Sequence, residues 1–385
     1  ESITLTDDLS RIKLQIIPLS ESIVFTDSAA NTPEIVLSES VLFADSTSIE
    51  KTVIQLLSET IRLTDVTTSD GAVKSTVEIN DSTANSPNLA NGDRFGLSVA
   101  NIGDLNSDGV NDLAVGAYLD GGGQKGTVHI MFMNADASVK STVEINDSTA
   151  NGPELSQSDY FGYSIENIGD LDGDGVNDLA VGAINDNAGG TDRGAIHIMF
   201  MNTDASVKST VEINDSTTNG PELSNEDRLG HSITNIGDLD GNGVNDLAVG
   251  AALDDTSGEN RGAIHIMFMN ADGTVDSTVE INDSTANGPE LANEDRLGYS
   301  ITNIGDLDGD GVNDLAVGAA YDDTSGENRG AIHIMFMNAD GTVDSTVEIN
   351  DSTANGPELA NEDRLGYSIT NIGDLDGDGV NDLAV

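Results

Sequence analysis

The chain has 385 residues, with 15 basic against 68 acidic side chains, a formal net charge of −53 and no cysteine. So large a negative excess repels nucleic acid and anionic membrane surfaces, which leaves cations, neutral proteins and glycans as the partners to expect. Without cysteine there is no disulfide framework, thiolate metal site or cysteine nucleophile, and runs such as AIHIMFM at 195–201 fall far short of the roughly 20 apolar residues a membrane helix needs.

The chain opens on Glu1 and stops at Val385 inside a repeated motif, so both ends are expected to be cut and an export signal or anchor to lie outside them. Residues 1–66 follow a short rule: ESITLTD, ESIVFTD, ESVLFAD and ETIRLTD begin at residues 1, 21, 39 and 59. Alternation of Ile3 and Leu5 with Ser2, Thr4 and Thr6 predicts one strand per unit. Stacked, such units make a small β-solenoid; laid out, they make a stalk or an extended spacer.

From residue 67 to 385 a longer rule takes over. The first aspartate of an acidic motif falls at Asp104, Asp170, Asp238, Asp306 and Asp374, spaced 66, 68, 68 and 68 residues apart. The third period shows the order of pieces: STVEIND (209–215), a Gly/Pro turn, LGHSITNIGD (229–238), the acidic loop, NDLAVGA (245–251) and RGAIHIMFMN (261–270). Each run reads as a strand. Period-2 alternation puts Ile264, Ile266 and Phe268 on one face and His265, Met267 and Met269 on the other, so both faces are largely apolar and both must be covered. Four short strands per repeat fit one blade of a propeller, whose neighbours cover its two faces. Short β-branched runs punctuated by Gly, Asn and Asp disfavour a helical solenoid. The expected fold is all-β: a β-propeller array of about four to five blades, preceded by short β-rich repeats.

In the loop DLDGDGVND (170–178) carboxylates occupy positions 1, 3, 5 and 9, with Gly175 at position 6. A hard cation such as calcium takes about six to eight oxygens at about 2.3–2.6 Å, and alternate residues of a tight turn can all point inward, with a backbone carbonyl at position 7. Glycine at position 6 permits the sharp turn. The candidate ligands are therefore Asp104, Asn106, Asp108, the Val110 carbonyl and Asp112; Asp170, Asp172, Asp174, Val176 and Asp178; Asp238, Asp240, Asn242, Val244 and Asp246. The fourth and fifth sets are Asp306, Asp308, Asp310, Val312 and Asp314, then Asp374, Asp376, Asp378, Val380 and Asp382. Asn106 and Asn242 keep an oxygen but lose a charge, which weakens their sites modestly. Without an ion the carboxylates repel one another; the bland alternative is a solvated turn that binds nothing. An EF-hand would close with Glu at position 12, where Val181 stands, and magnesium prefers to keep several waters.

On these motifs the chain resembles the FG-GAP repeat family, the seven-bladed β-propeller type found in the head of integrin α chains and in many microbial surface proteins. The resemblance covers residues 67–385: FG at Phe95-Gly96 and Phe161-Gly162, the acidic loops, and GA at Gly116-Ala117, Gly182-Ala183, Gly250-Ala251 and Gly318-Ala319. Leu229, Leu297 and Leu365 depart from the Phe, and Tyr118, Ile184, Ala252 and Ala320 from the usual Pro after GA. The resemblance implies one structural calcium per blade loop, up to five, an extracellular or cell-surface location, and adhesion or recognition of a protein or glycan by the loops, with no catalytic role. A purely structural cell-envelope spacer and a fragment of a larger surface enzyme are the competing readings. Loops 118–125 and 184–193 differ, which favours recognition, whereas residues 254–317 recur unchanged at 322–385, which favours a spacer.

His129, His197, His265 and His333 share one strand position beside methionines, and His231 takes a slot filled elsewhere by Leu97, Tyr163, Tyr299 and Tyr367; packing is expected of all five. The NDS triplets at Asn80, Asn146, Asn214, Asn282 and Asn350 are formal N-glycosylation acceptors, though as copies of one unit they count once.

Overall fold

The computed structural model describes residues 77–385, apart from residue 81, and five short strands within residues 1–76. The chain divides into two compact units at Thr76/Val77. In the first, β1 (Thr4–Thr6), β2 (Ile23–Thr26) and β3 (Val41–Phe43) form a parallel sheet, and β4 (Thr52–Leu57) and β5 (Thr60–Asp65) an antiparallel hairpin. The pairs Thr4↔Val24 and Ile23↔Val41 join residues that hold the same place in successive short repeats. The rest of the stalk or solenoid expected there lies outside the described residues.

The second unit is built from four antiparallel sheets of four strands, each in simple chain order. They are β6 (Phe95–Gly103), β7 (Asp112–Ala117), β8 (Thr127–Met133) and β9 (Val139–Ile145); β10 (Phe161–Gly169), β11 (Asp178–Ala183), β12 (Ala195–Met201) and β13 (Val207–Ile213). Next come β14 (Leu229–Gly237), β15 (Asp246–Ala251), β16 (Ala263–Met269) and β17 (Val275–Ile281), then β18 (Leu297–Gly305), β19 (Asp314–Ala319), β20 (Ala331–Met337) and β21 (Val343–Ile349). A two-stranded sheet of β22 (Thr370–Gly373) and β23 (Asp382–Ala384) follows, and no helix occurs among the described residues. These are propeller blades. Successive blades pack through their inner strands, β6 on β10, β10 on β14 and β14 on β18, and the sheets do not close into a ring.

The core sits between blades, as two-faced apolar strands require. Ile102 and Ile130 of the first blade share a cluster with Phe161, Val181 and Met199 of the second, and the pattern repeats at each junction. All seven residues of β8, of β12 and of β16 are buried. Phe161, Leu229 and Leu297 fill the same fully buried slot, so the Phe-to-Leu departures keep its apolar character. The residue two positions on forms a column along the inner strands: ring centroids lie 4.9 Å apart for Tyr163 and His231, 4.2 Å for His231 and Tyr299, and 4.6 Å for Tyr299 and Tyr367.

What sets the distance between blades is a pair of glycines. A Cβ on Gly182, the glycine of GA, would lie 2.2 Å from the carbonyl oxygen of Gly230, the glycine after Leu229 in the next blade; Gly116 and Gly162, Gly250 and Gly298, and Gly318 and Gly366 meet in the same way. Gly230 also needs its φ of +88°. Ser164 Oγ, Ser232 Oγ and Ser300 Oγ donate to the same carbonyls at 2.7, 2.8 and 2.7 Å. Gly182→Ala should therefore cost about 1–3 kcal/mol in denaturant unfolding by overpacking. Gly122→Ala, where an added Cβ meets nothing within 4 Å, is the control, and should change stability by less than about 0.5 kcal/mol.

Candidate metal centre

Each acidic loop joins the first strand of a blade to the second and folds on its own aspartates. In the second blade Asp170 Oδ1 accepts the amide of Asp174 at 2.9 Å and its Oδ2 that of Gly175 at 2.8 Å, while Asp174 Oδ1 accepts the amide of Val176 at 2.9 Å. Gly175 takes φ +91°, as position 6 requires. Asp178 closes the loop as the first residue of β11; it is buried, accepting the Leu171 amide on Oδ2 at 2.9 Å and the Met201 amide on Oδ1 at 3.0 Å. One carboxylate thus ties the loop to the third strand. Asp112, Asp246 and Asp314 make the same two bonds, to Leu105 and Met133, Leu239 and Met269, and Leu307 and Met337.

This arrangement brings positions 1, 3 and 9 together. Asp170, Asp172 and Asp178 each offer an oxygen within 4.8 Å of the others, and so do Asp238, Asp240 and Asp246; Asp306, Asp308 and Asp314; and Asp374, Asp376 and Asp382. In the first loop Asn106 replaces the second acid, and Asp104, Asp108 and Asp112 do not make such a trio. The position-5 side chains Asp108, Asn242, Asp310 and Asp378, like Asp174, each accept the amide of the valine at position 7, Val110, Val244, Val312 and Val380.

Burial pushes the carboxyls of Asp178 and Asp246 up to about 6, against the amide bonds that pull them down. Asp112 and Asp314 are raised for the same reason. A divalent ion would relieve that cost by holding the ionised form. The donor set fits: it is all oxygen, hard and anionic. A cationic group already settles there, since Lys208 bonds Asp172 and lies 2.8 Å from Asp174 Oδ2, and Lys140 lies 2.6 Å from Asp108 Oδ2. These ammonium groups hold Asp108 and Asp174 below the usual carboxylate range.

Two features of the site are not read from loop spacing alone. One is the lysines, which arrive from the fourth strand. The other is the asparagine at position 8: Asn177, Asn245, Asn313 and Asn381 donate Nδ2 to the carbonyls of Ile102, Ile168, Ile236 and Ile304 in the preceding blade, at 3.1, 3.0, 2.9 and 2.9 Å. Its presence in every copy, Asn111 included, was the available signal.

The histidines pack. His129, His197, His265 and His333 are buried with neither ring nitrogen bonded, and burial lowers the last three to about 4. The NDS asparagines cap turns: Asn214, Asn282 and Asn350 are more than nine-tenths buried, accept the serine amide two residues on, and donate Nδ2 to Glu212, Glu280 and Glu348.

The model for the FG-GAP repeat family matches residues 95–131, 161–199, 230–267 and 297–335. Integrin alpha-PS5 of Drosophila melanogaster is 34% identical over 162 residues, covering 42% of this chain and 15% of its own length. Integrin alpha-4 of Xenopus laevis is 32% identical over 170 residues, 43% of this chain and 15% of its own length. Integrin alpha-PS2 of Drosophila melanogaster is 29% identical over 249 residues, 63% of this chain and 16% of its own length. The chain thus spans a small part of the curated relatives it matches.

A second acidic layer lies beyond the second strands, at the blade ends opposite the loops. Buried Asp227 is pushed up to about 8, first by burial and then by the charge of Asp254, itself buried and raised. A folded value above the ordinary 3.8 means that the folded chain holds a proton the unfolded chain releases, so the penalty is full above the folded value and fades as pH falls toward the unfolded one. Asp227→Asn keeps an oxygen for the Ser224 amide. It should raise the melting temperature at about pH 9, with the gain shrinking towards about pH 4, as followed by circular dichroism.

Proposed function

This chain is an FG-GAP repeat protein, and on that premise we propose that it is an extracellular, calcium-stabilised β-propeller module serving adhesion or ligand recognition at a cell surface. The observation that carries the reading is the trio at positions 1, 3 and 9, recurring in four loops with an oxygen from each residue inside 4.8 Å. In the second blade Asp170, Asp172, Asp174, the Val176 carbonyl and Asp178 would hold the ion, and the equivalent residues would do so in the other loops, the first with Asn106 in place of an acid. Bound calcium supplies charge neutralisation and cross-linking of the loop. The chain's own residues do the rest, with the closing aspartate fixed to the third strand and position 8 to the blade before.

Recognition falls to the opposite end of the blades, because the loops between second and third strands leave from there. Segment 118–125 (YLDGGGQK) is shorter than 184–193 (INDNAGGTDR) and differs in sequence, and such variation on a rigid frame supports binding. The partner would be a neutral or basic protein surface or a glycan, since the net charge of −53 disfavours anionic ones. The role proposed is binding, not catalysis. A spacer with no specific ligand is the second reading, favoured by the identity of residues 254–317 and 322–385.

An ion at about 100 times its dissociation constant stabilises by about 2.7 kcal/mol per site, so five sites would match the stability of an ordinary domain, about 5–15 kcal/mol. Calorimetric melting in about 10 mM calcium should therefore run well above melting in excess chelator; an unchanged transition would overturn the calcium reading. Cells should attach to the immobilised protein in calcium and detach in chelator if it recognises a surface ligand, whereas a spacer would hold none.

A further inference from the structure

The four complete blades present near-identical loops to two kinds of fourth strand, VKSTVEI in the first two and VDSTVEI in the last two. In each, the last residue of the third strand pairs with the first residue of the fourth: Met133↔Val139, Met201↔Val207, Met269↔Val275 and Met337↔Val343. The same methionine amides bond the closing aspartates Asp112, Asp178, Asp246 and Asp314. The second residue of the fourth strand therefore stands beside the loop in every blade. It is Lys140 in β9, Lys208 in β13, Asp276 in β17 and Asp344 in β21.

The two lysines enter their loops, Lys140 on Asp108 and Lys208 on Asp172 and Asp174. Asp276 and Asp344 are exposed at the same register. In the third loop Asn242 Nδ2 turns instead to Asp240 and to the Met269 carbonyl, at 3.3 and 3.2 Å. We propose that this position, acting together with the number of carboxylates in each loop, grades the cation affinity of the four loops, weakest in the first blade and tightest in the fourth. The inference rests on reading the loops as calcium sites. In the first blade an ion meets three carboxylates opposed by an ammonium, in the second four opposed by one, in the third three joined by a further carboxylate, and in the fourth four so joined. An ion entering the first two must displace a tethered cation; one entering the last two meets only more negative charge. Lys140 and Lys208 thus act as built-in counter-ions that hold their loops together at low calcium, while the third and fourth blades fill first. The fifth loop belongs to a two-stranded sheet and stands outside the series.

The test is calorimetric titration of the whole chain with calcium ion alone, comparing the parent with Lys208→Asp and with Asp344→Lys. Each variant installs a residue that another blade already carries at that exposed position, so the fold tolerates it. Lys208→Asp should tighten one weak step, and Asp344→Lys should weaken the tightest, each by about tenfold, the scale expected when a charge changes sign several Å from a divalent ion in a water-like dielectric with salt. The differences should narrow as sodium chloride is raised. If the parent binds calcium but neither variant moves a step by more than about twofold, this inference falls and the calcium reading stands. If the parent binds no calcium, both fall.

Discussion

The structure depends on the buried aspartate that closes each acidic loop. Asp112, Asp178, Asp246 and Asp314 carry a carboxylate into the interior, where an unpaired charge would be prohibitive, and each spends its two oxygens on amides from two places: the loop's second residue and the end of the third strand. Those two hydrogen bonds help decide where positions 1 and 3 stand, because they anchor the far end of the loop, at position 9, to the third strand of the blade. They also leave a group whose ionisation is disfavoured by burial, facing two or three further carboxylates. A divalent ion is the natural complement to such an arrangement.

Blade-to-blade packing makes the loops a shared property of the array. At one end the glycines of the GA and FG positions bring backbone against backbone, closer than any side chain would allow. At the other, the asparagine at position 8 reaches back to an isoleucine carbonyl of the preceding blade, one residue before the closing aspartate. A cation that orders a loop therefore also steadies a junction. Between these two fixings runs a continuous apolar layer, which explains why strands buried on both faces are stable in a chain with so few aromatic residues.

Charge is distributed with the same economy. Among the described residues most acidic side chains reach solvent, but a few basic side chains are placed on the acidic loops or beside the ring of Tyr321, over which Arg296 and Arg364 lie at 4.2 and 4.6 Å from the centroid. Near-identical repeats thus come to differ in electrostatics through single exposed positions, without any change in backbone. The Asp227 and Asp254 pair shows a different use of acid: two buried carboxyls at one end of the third blade, each with its ionisation disfavoured by burial.

Strand order, the two-faced burial of AIHIMFM and the gathering of acids within each loop were legible in the sequence, because side-chain alternation and loop spacing are local and recur from copy to copy; of the five positions read as candidate ligands, the structure draws together the acids at 1, 3 and 9. The packing role of the histidines, set among methionines, was legible too. The neighbourhood of residues distant in the chain was not legible. That Lys208 meets Asp172 and that Asn177 meets Ile102 depends on how the loop after the first strand is brought beside the fourth strand of its own sheet and beside the first strand of the preceding blade. Sequence alone determined the blade and its acidic turn, since those follow from the period of apolar residues and the geometry of a tight loop. Only the tertiary structure decided how the turns differ from one another, because the field at each one is set by side chains delivered from elsewhere in the sheet.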